Sequence, residues 1–466
     1  MAVMHYHQSR EVKEMPREYC GIIAAVGSEV NHIIYDGLRV IQHRGQESAG
    51  IAVFTEKLLV KRGSGLVTEA ISPEEAISLP SDRGIGHVRY STQGGQEEAC
   101  QQPMTVRARF GEMAIAHNGE IVNSNELRNK LFTGGWGFVT DSDSEVILRL
   151  LSVNMATSGE IIAGIREAMK ELVGSYSLAL MVGPRVFVIR DPLAIRPLCI
   201  GRIGDTHCAA SESVVFDSLG GEFVRDLKPG EIVELTDKGF VMHTPICEGP
   251  TAHCMFEWVY FARPDSFVDG RLVYDVRRKL GIRMAHESPV AADFVIPVPD
   301  SGRAYAIGYS EGASIPYADG LIKNRYVQRT FIMPHQGDRV SGVSLKLNPL
   351  KPVIDGKRII LVDDSIVRGT TMKQIIKIVR KCGASEVHLR IGCPPVVSPC
   401  HLGIDMKNRE DFIANGRSVE EIREFLGADT LAYASIDNLL ASIGRGAGEL
   451  CLGCLTGKYP VPMPDE

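Results

Sequence analysis

The segment Ile359 to Thr371, which reads Ile-Ile-Leu-Val-Asp-Asp-Ser-Ile-Val-Arg-Gly-Thr-Thr, constrains the fold more than any other stretch of the chain. Its leading apolar residues, Ile359 to Val362, predict a parallel strand covered on both faces. The run Met372 to Cys382, apolar at Met372, Ile375, Ile376 and Val379, predicts the helix that follows. The loop between them then lies at the carboxyl end of a strand, where open α/β sheets bind ligands. A helix start bearing Gly369, Thr370 and Thr371 offers backbone N–H groups, hydroxyls and a positive dipole end to an anion. No Gly-Lys-Ser or Gly-Lys-Thr follows the loop, which excludes an ATP-type P-loop. The segment reads as a site for a sugar phosphate.

Two acids ahead of an anion cradle repel the anion unless they face something else. Asp363 and Asp364 can accept hydrogen bonds from a ribose diol or hold Mg²⁺, which takes one or two carboxylates together with substrate phosphates. The plainer alternative is a solvated turn in which Asp364 caps the helix. The segment resembles the phosphoribosylpyrophosphate-binding signature of the type I phosphoribosyltransferases. That resemblance implies that Asp363, Asp364, Ser365, Arg368, Gly369, Thr370 and Thr371 bind this substrate. A second strand with a polar loop is expected at Asp293 to Gly302, with a helix from Ala304 to Glu311 behind it. By the same resemblance Ser301 joins Asp363 and Asp364 around Mg²⁺; a helix cap is its alternative role.

With 466 residues and no stretch of about 18 apolar ones, the chain has room for two large domains and no membrane span. A formal net charge of −6, with both signs scattered, lacks the basic stripe of a nucleic-acid-binding surface. Met1 to Tyr19 is polar and has no apolar core or small-residue cleavage site, so it is not a secretory signal, and a cytoplasmic protein is expected. Eleven cysteines, an odd number thinly spread, point to free thiols, metal ligands or catalysis rather than disulfides.

From Cys20 to about Glu234, short apolar runs broken by Gly, such as Gly21 to Gly27 and Ser177 to Val182, predict an antiparallel layered α/β domain. Helices are expected at Asn31 to His43 and Asp143 to Leu151. Cys20 directly precedes the first strand, and the polar segment before it reads as a removable leader. Its removal would place an α-amino group, with a pKa near 8, beside a thiol of pKa about 8.5, so that the amine could act as base. Cys20-Gly21-Ile22, the run Gln42 to Gly50, Gly86 to Thr92, Ala116 to Gly119 and Ser142 to Glu145 occur in this order. Together they resemble the glutaminase domain of the N-terminal-nucleophile amidotransferases, an αββα fold. The resemblance implies that Cys20 is the nucleophile, Arg89 pairs the α-carboxylate of glutamine, Asp143 receives its α-ammonium, and Asn118 with the Gly119 N–H forms the oxyanion hole. Arg suits a bidentate carboxylate contact, and Gly permits the close backbone approach that an oxyanion demands.

Past residue 250 the pattern changes to strands alternating with longer helices, as in a parallel-sheet domain. The expected organisation is a removable segment 1–19, a glutaminase domain 20–250 and a phosphoribosyltransferase domain 251–466 ending in a cluster-binding segment. Leu321 to Ile332 and the polar stretch to Asn348 resemble the lid of the family of glutamine phosphoribosylpyrophosphate amidotransferases, with Gln328 and Ser344 in place of the expected Gly and Arg. Cys451 and Cys454 form a CxxC near the carboxyl end, and Cys247, Cys254, Cys393 and Cys400 are upstream candidates. Four thiolates suit Zn²⁺ or a [4Fe–4S] cluster, and spacing does not choose between them. The family does: Cys254, Cys400, Cys451 and Cys454 resemble the ligands of its iron–sulfur-containing branch, with Cys247 and Cys393 as bystanders. The resemblance further implies formation of 5-phosphoribosylamine in the first committed step of purine biosynthesis, inhibition by purine nucleotides, and a homotetramer. Two other readings remain at this point: a different amidotransferase with the same glutaminase domain, or a non-catalytic sensor of phosphoribosylpyrophosphate.

Overall fold

The computed structural model describes residues 20–79, 81–90, 98–245, 249–324 and 347–463. Its first half is two antiparallel sheets packed face to face. One has seven strands in the order Glu222–Asp226, Cys199–Ile203, Thr206–Ala210, Gly21–Val26, Arg83–Arg89, Ser48–Phe54 and Leu58–Ser64. The other has six, in the order Gly239–His243, Ile232–Thr236, Arg185–Arg190, Gly174–Val182, Gly111–Ile121 and Met104–Ala108. The period of two along Gly21–Val26 explains the layering. Ile22, Ala24 and Val26 point between the sheets against Ala114, Ala116, Ala179 and Met181, whereas Ile23 and Ala25 point outward under helix Val30–Val40. Helices Asp143–Ser158 and Ile161–Glu171 cover the other sheet, giving the expected αββα order.

Local chemistry accounts for the departures from the expected elements. The helix expected at Asn31 to His43 is Val30–Val40, and the residues Gln42–Arg44 tighten into a 3₁₀ turn that turns Arg44 inward. The helix expected to end at Leu151 runs to Ser158, where Gly159 adopts φ 74° and its N–H caps the Met155 carbonyl at 2.9 Å.

The second half is built on four parallel strands, Phe294–Pro297, Arg358–Asp363, Glu386–Ile391 and Thr430–Tyr433, in that spatial order. Helix Thr370–Lys381 starts ahead of the expected Met372 because Gly369 takes φ 77° and turns the chain into it. Helix Arg303–Ala313 likewise follows the Phe294–Pro297 strand. The last strand of the first half ends at His243, and core packing in the second begins at Ala252. Cys254 and Cys451 are direct partners in a short parallel pairing that ties the chain's end to the start of this half. No helix among the described residues is long and apolar enough to cross a membrane. Met1 to Tyr19, Ser91, Thr92, Cys247, and the lid residues Gln328 and Ser344 lie outside the described residues.

Candidate active sites

Cys20 opens the Gly21–Val26 strand and is buried, its thiol 3.7 Å from the Tyr90 carbonyl oxygen. Burial pushes that thiol above its ordinary range, opposed by the Tyr90 contact and the charge of Arg89; Asp143 and Glu47 are near enough to push it further up. Arg89 ends the adjacent strand, where Gly21 pairs with Val88. Asp143 opens a helix whose cap, Ser142, accepts the Ser144 N–H at 3.2 Å, and its Oδ2 accepts the Ile121 N–H at 3.2 Å. The structure therefore gathers Cys20, Arg89 and Asp143 into one buried space.

Asn118 and Gly119 lie near the end of strand Gly111–Ile121. Asn118 is fully buried, yet neither its Oδ1 nor its Nδ2 has a hydrogen-bond partner among the described residues. Buried amides are almost always satisfied, so this side chain keeps both its donor and its acceptor capacity for a ligand or water. Gly119 has φ 149°, and a Cβ there would lie 2.1 Å from the Ser175 carbonyl oxygen, so no other residue fits. An amide Nδ2 and a backbone N–H on successive residues can together receive the oxyanion of a tetrahedral intermediate.

Several residues around this centre carried no role from sequence. His87 Nε2 donates to the His117 carbonyl at 3.0 Å, and burial lowers the His87 pKa to about 3. Burial likewise lowers that of His117, whose Nδ1 is 3.0 Å from the Ser144 hydroxyl. Both rings are neutral struts. Arg44, buried, donates from Nε to the Cys20 carbonyl at 3.2 Å and from its other nitrogens to Glu212 and Glu257, each at 2.7 Å. Glu257 belongs to a π-helical turn, Glu257–Phe261, of the second half, so the nucleophile's backbone is braced across the domain boundary. His87, His117 and Arg44 all stand within the segments that carried the glutaminase resemblance; Glu257 stands in the run from Cys254 to Phe261 that resembles the cluster-containing branch, and nothing in the spacing pairs it with Arg44.

The second centre forms where strand Arg358–Asp363 ends. Asp363 Oδ1 accepts the Asp364 N–H at 2.9 Å, Ser365 donates to Asp364 at 2.5 Å, and Ser301 Oγ is 3.5 Å from Asp363 Oδ1. Burial and then the neighbouring Asp364 raise the Asp363 pKa well above the carboxylate range, and burial raises that of Asp364. With Ser301 the two adjacent carboxylates form a hard oxygen donor set of the kind that fits Mg²⁺. The cradle itself is formed: Arg368 precedes Gly369, Thr370 and Thr371 at the helix start, and Thr370 Oγ1 is buried with no partner among the described residues. Arg368 meanwhile pairs with Asp411 at 2.9 Å.

The four cysteines named from sequence share one buried neighbourhood. Burial and then Cys400, Cys393, Cys451 and Cys254 push the Cys454 thiol well above its ordinary range. The Leu402 N–H approaches Cys400 Sγ at 3.4 Å, and backbone N–H groups of Phe256 and Gly453 bond to Cys254 and Cys451. Such bonds to sulfur are the means by which proteins stabilise and tune cluster thiolates. No three His, Cys, Asp or Glu side chains among the described residues converge closely enough for a single metal ion. Four thiolates suit either Zn²⁺ or a [4Fe–4S] cluster. Cys393, expected to be a bystander and not a ligand, also lies near Cys454.

Comparison with known proteins agrees with this division. A glutamine amidotransferase domain model matches residues 87–218 and a phosphoribosyl transferase domain model matches residues 271–393. The chain is 49% identical over 458 residues to an amidophosphoribosyltransferase of Methanothermobacter thermautotrophicus, covering 97% of this chain and 96% of the relative. It is 43% identical over 463 residues to that of Bacillus subtilis, covering 97% and 96%. A solved structure of the Bacillus subtilis glutamine phosphoribosylpyrophosphate amidotransferase, complexed with ADP and GMP, superposes with a TM-score of 0.89 at 42% identity, covering 96% of this chain and 98% of that one. A structure described as the allosteric regulatory enzyme of purine biosynthesis gives a TM-score of 0.90 at 42% identity, covering 96% and 97%.

Proposed function

The chain belongs to the amidophosphoribosyltransferase family, and from that premise we propose how its two centres share one reaction. The enzyme makes 5-phosphoribosylamine, glutamate and pyrophosphate from phosphoribosylpyrophosphate, glutamine and water, the first committed step of de novo purine biosynthesis. This sets aside both the sensor and the amidotransferase of a different product.

At the first centre the Cys20 sulfur attacks the side-chain amide carbon of glutamine. Arg89 pairs with the α-carboxylate and Asp143 with the α-ammonium, which orients the amide over the thiol. Asn118 Nδ2 and the Gly119 N–H hold the oxyanion, ammonia leaves, and water cleaves the resulting thioester to glutamate. Removal of residues 1–19 would free the α-amino group of Cys20 to take the thiol proton. At the second centre ammonia attacks C1 of the sugar as pyrophosphate departs. Gly369, Thr370 and Thr371 cradle phosphate, Arg368 and Ser365 add charge and hydrogen bonds, and Asp363 and Asp364 face the ribose hydroxyls. Mg²⁺, held by Asp363, Asp364 and Ser301, would supply charge neutralisation for the leaving pyrophosphate.

A [4Fe–4S] cluster on Cys254, Cys400, Cys451 and Cys454 has a structural role in this reading, since neither half-reaction moves electrons. Inhibition by purine nucleotides, a homotetramer and a cytoplasmic location complete it. The nucleotide-bound Bacillus subtilis relative supports the first of these. Asn118 carries the assignment of the glutamine centre most directly, because its buried amide lacks a partner among the described residues beside a glycine that no side chain could replace.

Purified protein given glutamine and phosphoribosylpyrophosphate should release glutamate and pyrophosphate in equal amounts. Release of glutamate without pyrophosphate would contradict the coupling. Anaerobic iron and sulfide analysis should find four of each per chain, as the cluster's formula requires. Mass analysis of the active protein should find Cys20 at its amino terminus, and an intact Met1 in fully active protein would refute processing.

A further inference from the structure

The stretch from Cys400 to Ile413 touches all three centres, and its contacts concentrate on the strand that bears Asn118 and Gly119. At one end Cys400 is one of the four clustered thiols. At the other, Asp411 accepts from Arg368 at 2.9 Å and the Ile413 N–H donates to the Val367 carbonyl at 2.7 Å, so this end is bonded to the phosphate loop. Between them the Leu402 carbonyl accepts from Ser175 Oγ at 2.8 Å. The Gly403 N–H donates to Glu120 Oε2 at 3.1 Å, and Lys407 Nζ donates to Glu120 Oε1 at 2.5 Å. Gly403 has φ 97°, and a Cβ there would be 3.1 Å from the Gly119 carbonyl carbon and 3.2 Å from its Cα. The backbone of the second domain therefore lies directly against the oxyanion glycine.

Glu120 is 4% exposed and sits between two residues that matter to glutamine. Gly119 precedes it, and Ile121 follows, with its N–H on the Asp143 carboxylate. A buried carboxylate is costly without a cation, so the lysine from the opposite domain fixes where this turn of chain can rest. An oxyanion donor is effective only when aimed at the developing charge, and small displacements cost rate rather than affinity. We propose that Glu120 and Lys407 are a positioning pair that aims the Gly119 N–H by docking its strand onto the second domain. This rests on the oxyanion role given above to Asn118 and Gly119.

The test uses full-length Lys407→Ala, Glu120→Gln, the double variant, Lys407→Arg and Gly403→Ala. Each is assayed for glutamine hydrolysis and for ammonia-dependent pyrophosphate release. Lys407→Ala and Glu120→Gln should each lower kcat for glutamine about tenfold or more while KM stays within about twofold. The double variant should be no worse than the poorer single one, as coupled residues behave. Lys407→Arg should restore most of kcat, Gly403→Ala should lower it without altering charge, and ammonia-dependent release should hold within about twofold of the parent throughout. Unchanged kcat in both single variants, additive losses in the double, or an equal fall in both activities would overturn the pair. Should Lys407→Ala fail to fold, Gly403→Ala decides, and full glutaminase activity in it counts against the proposal. A parent that does not hydrolyse glutamine, or a Cys20→Ala variant that does, would instead contradict the glutaminase assignment itself.

Discussion

The two centres differ in how the fold holds their chemical groups. Around Cys20 the backbone is held by paired strands and by Arg44 on the Cys20 carbonyl, neutral His87 ties its strand to the His117 carbonyl, and Asn118 has no partner among the described residues. At the phosphate loop the shape is present but the charges are provisional. Asp363 and Asp364 lean on their own backbone and on Ser365, and Arg368 is occupied by Asp411. A nucleophile and an oxyanion need fixed distances, which strands supply. A polyanion with a metal needs charge, which side chains can hold in reserve by pairing with one another.

That contrast can be broken most severely by removing the divalent cation. Chelation should abolish ammonia-dependent pyrophosphate release yet leave glutamine hydrolysis measured without phosphoribosylpyrophosphate intact. Loss of both would mean that the two centres share the metal. Next in size, Asn118→Ala should lower kcat for glutamine by about 10²–10³, as loss of one oxyanion donor does, without changing ammonia-dependent release. A change confined to KM would move Asn118 from the oxyanion to ground-state binding.

A smaller effect is expected at the phosphate cradle. Thr370→Val keeps the shape and removes the buried hydroxyl, and should raise KM for phosphoribosylpyrophosphate about tenfold, the value of one hydrogen bond to a charged group. Unchanged KM would leave that hydroxyl outside the phosphate contacts. The smallest is a pH effect away from both centres. Burial and then the facing Asp269 push the Asp226 carboxyl up to about 7. The unfolded chain ionises such a group near pH 4, so the folded state holds an extra proton between about pH 4 and 7 and loses stability as pH rises through that window. Asp226→Asn should raise the thermal midpoint by about 2–4 °C at pH 8 and leave it unchanged at pH 4. Equal gains at both values would exclude titration as the cause.

The strands at Gly21–Val26 and Arg358–Asp363 and the phosphate cradle were legible in the chain because each is encoded locally. Alternation along Gly21–Val26 places one face between the sheets, and a strand, two acids and a helix start are consecutive at Arg358–Lys381. Cys20, Arg89, Asn118 and Asp143 were visible through resemblance; strand pairing, which spacing does not reveal, brings the Cys20 and Arg89 strands together, while Asn118 lies on the facing sheet and Asp143 on the helix that covers it. Contacts between distant segments left no trace of this kind. Arg44 meets Glu257 and Glu120 meets Lys407 across the domain boundary, and an isolated acid or base in sequence reads only as a solvated charge. Helix ends were missed for a local reason, since Gly159 and Gly369, and not the apolar periodicity, set them.

Separation of two chemistries on one chain is tested most directly by Cys20→Ala supplied in turn with glutamine and with ammonia, in the presence of phosphoribosylpyrophosphate and Mg²⁺. The variant should release no glutamate from glutamine and should still release pyrophosphate with ammonia at the parent's rate. A folded Cys20→Ala protein that loses both activities, or retains both, would contradict the account.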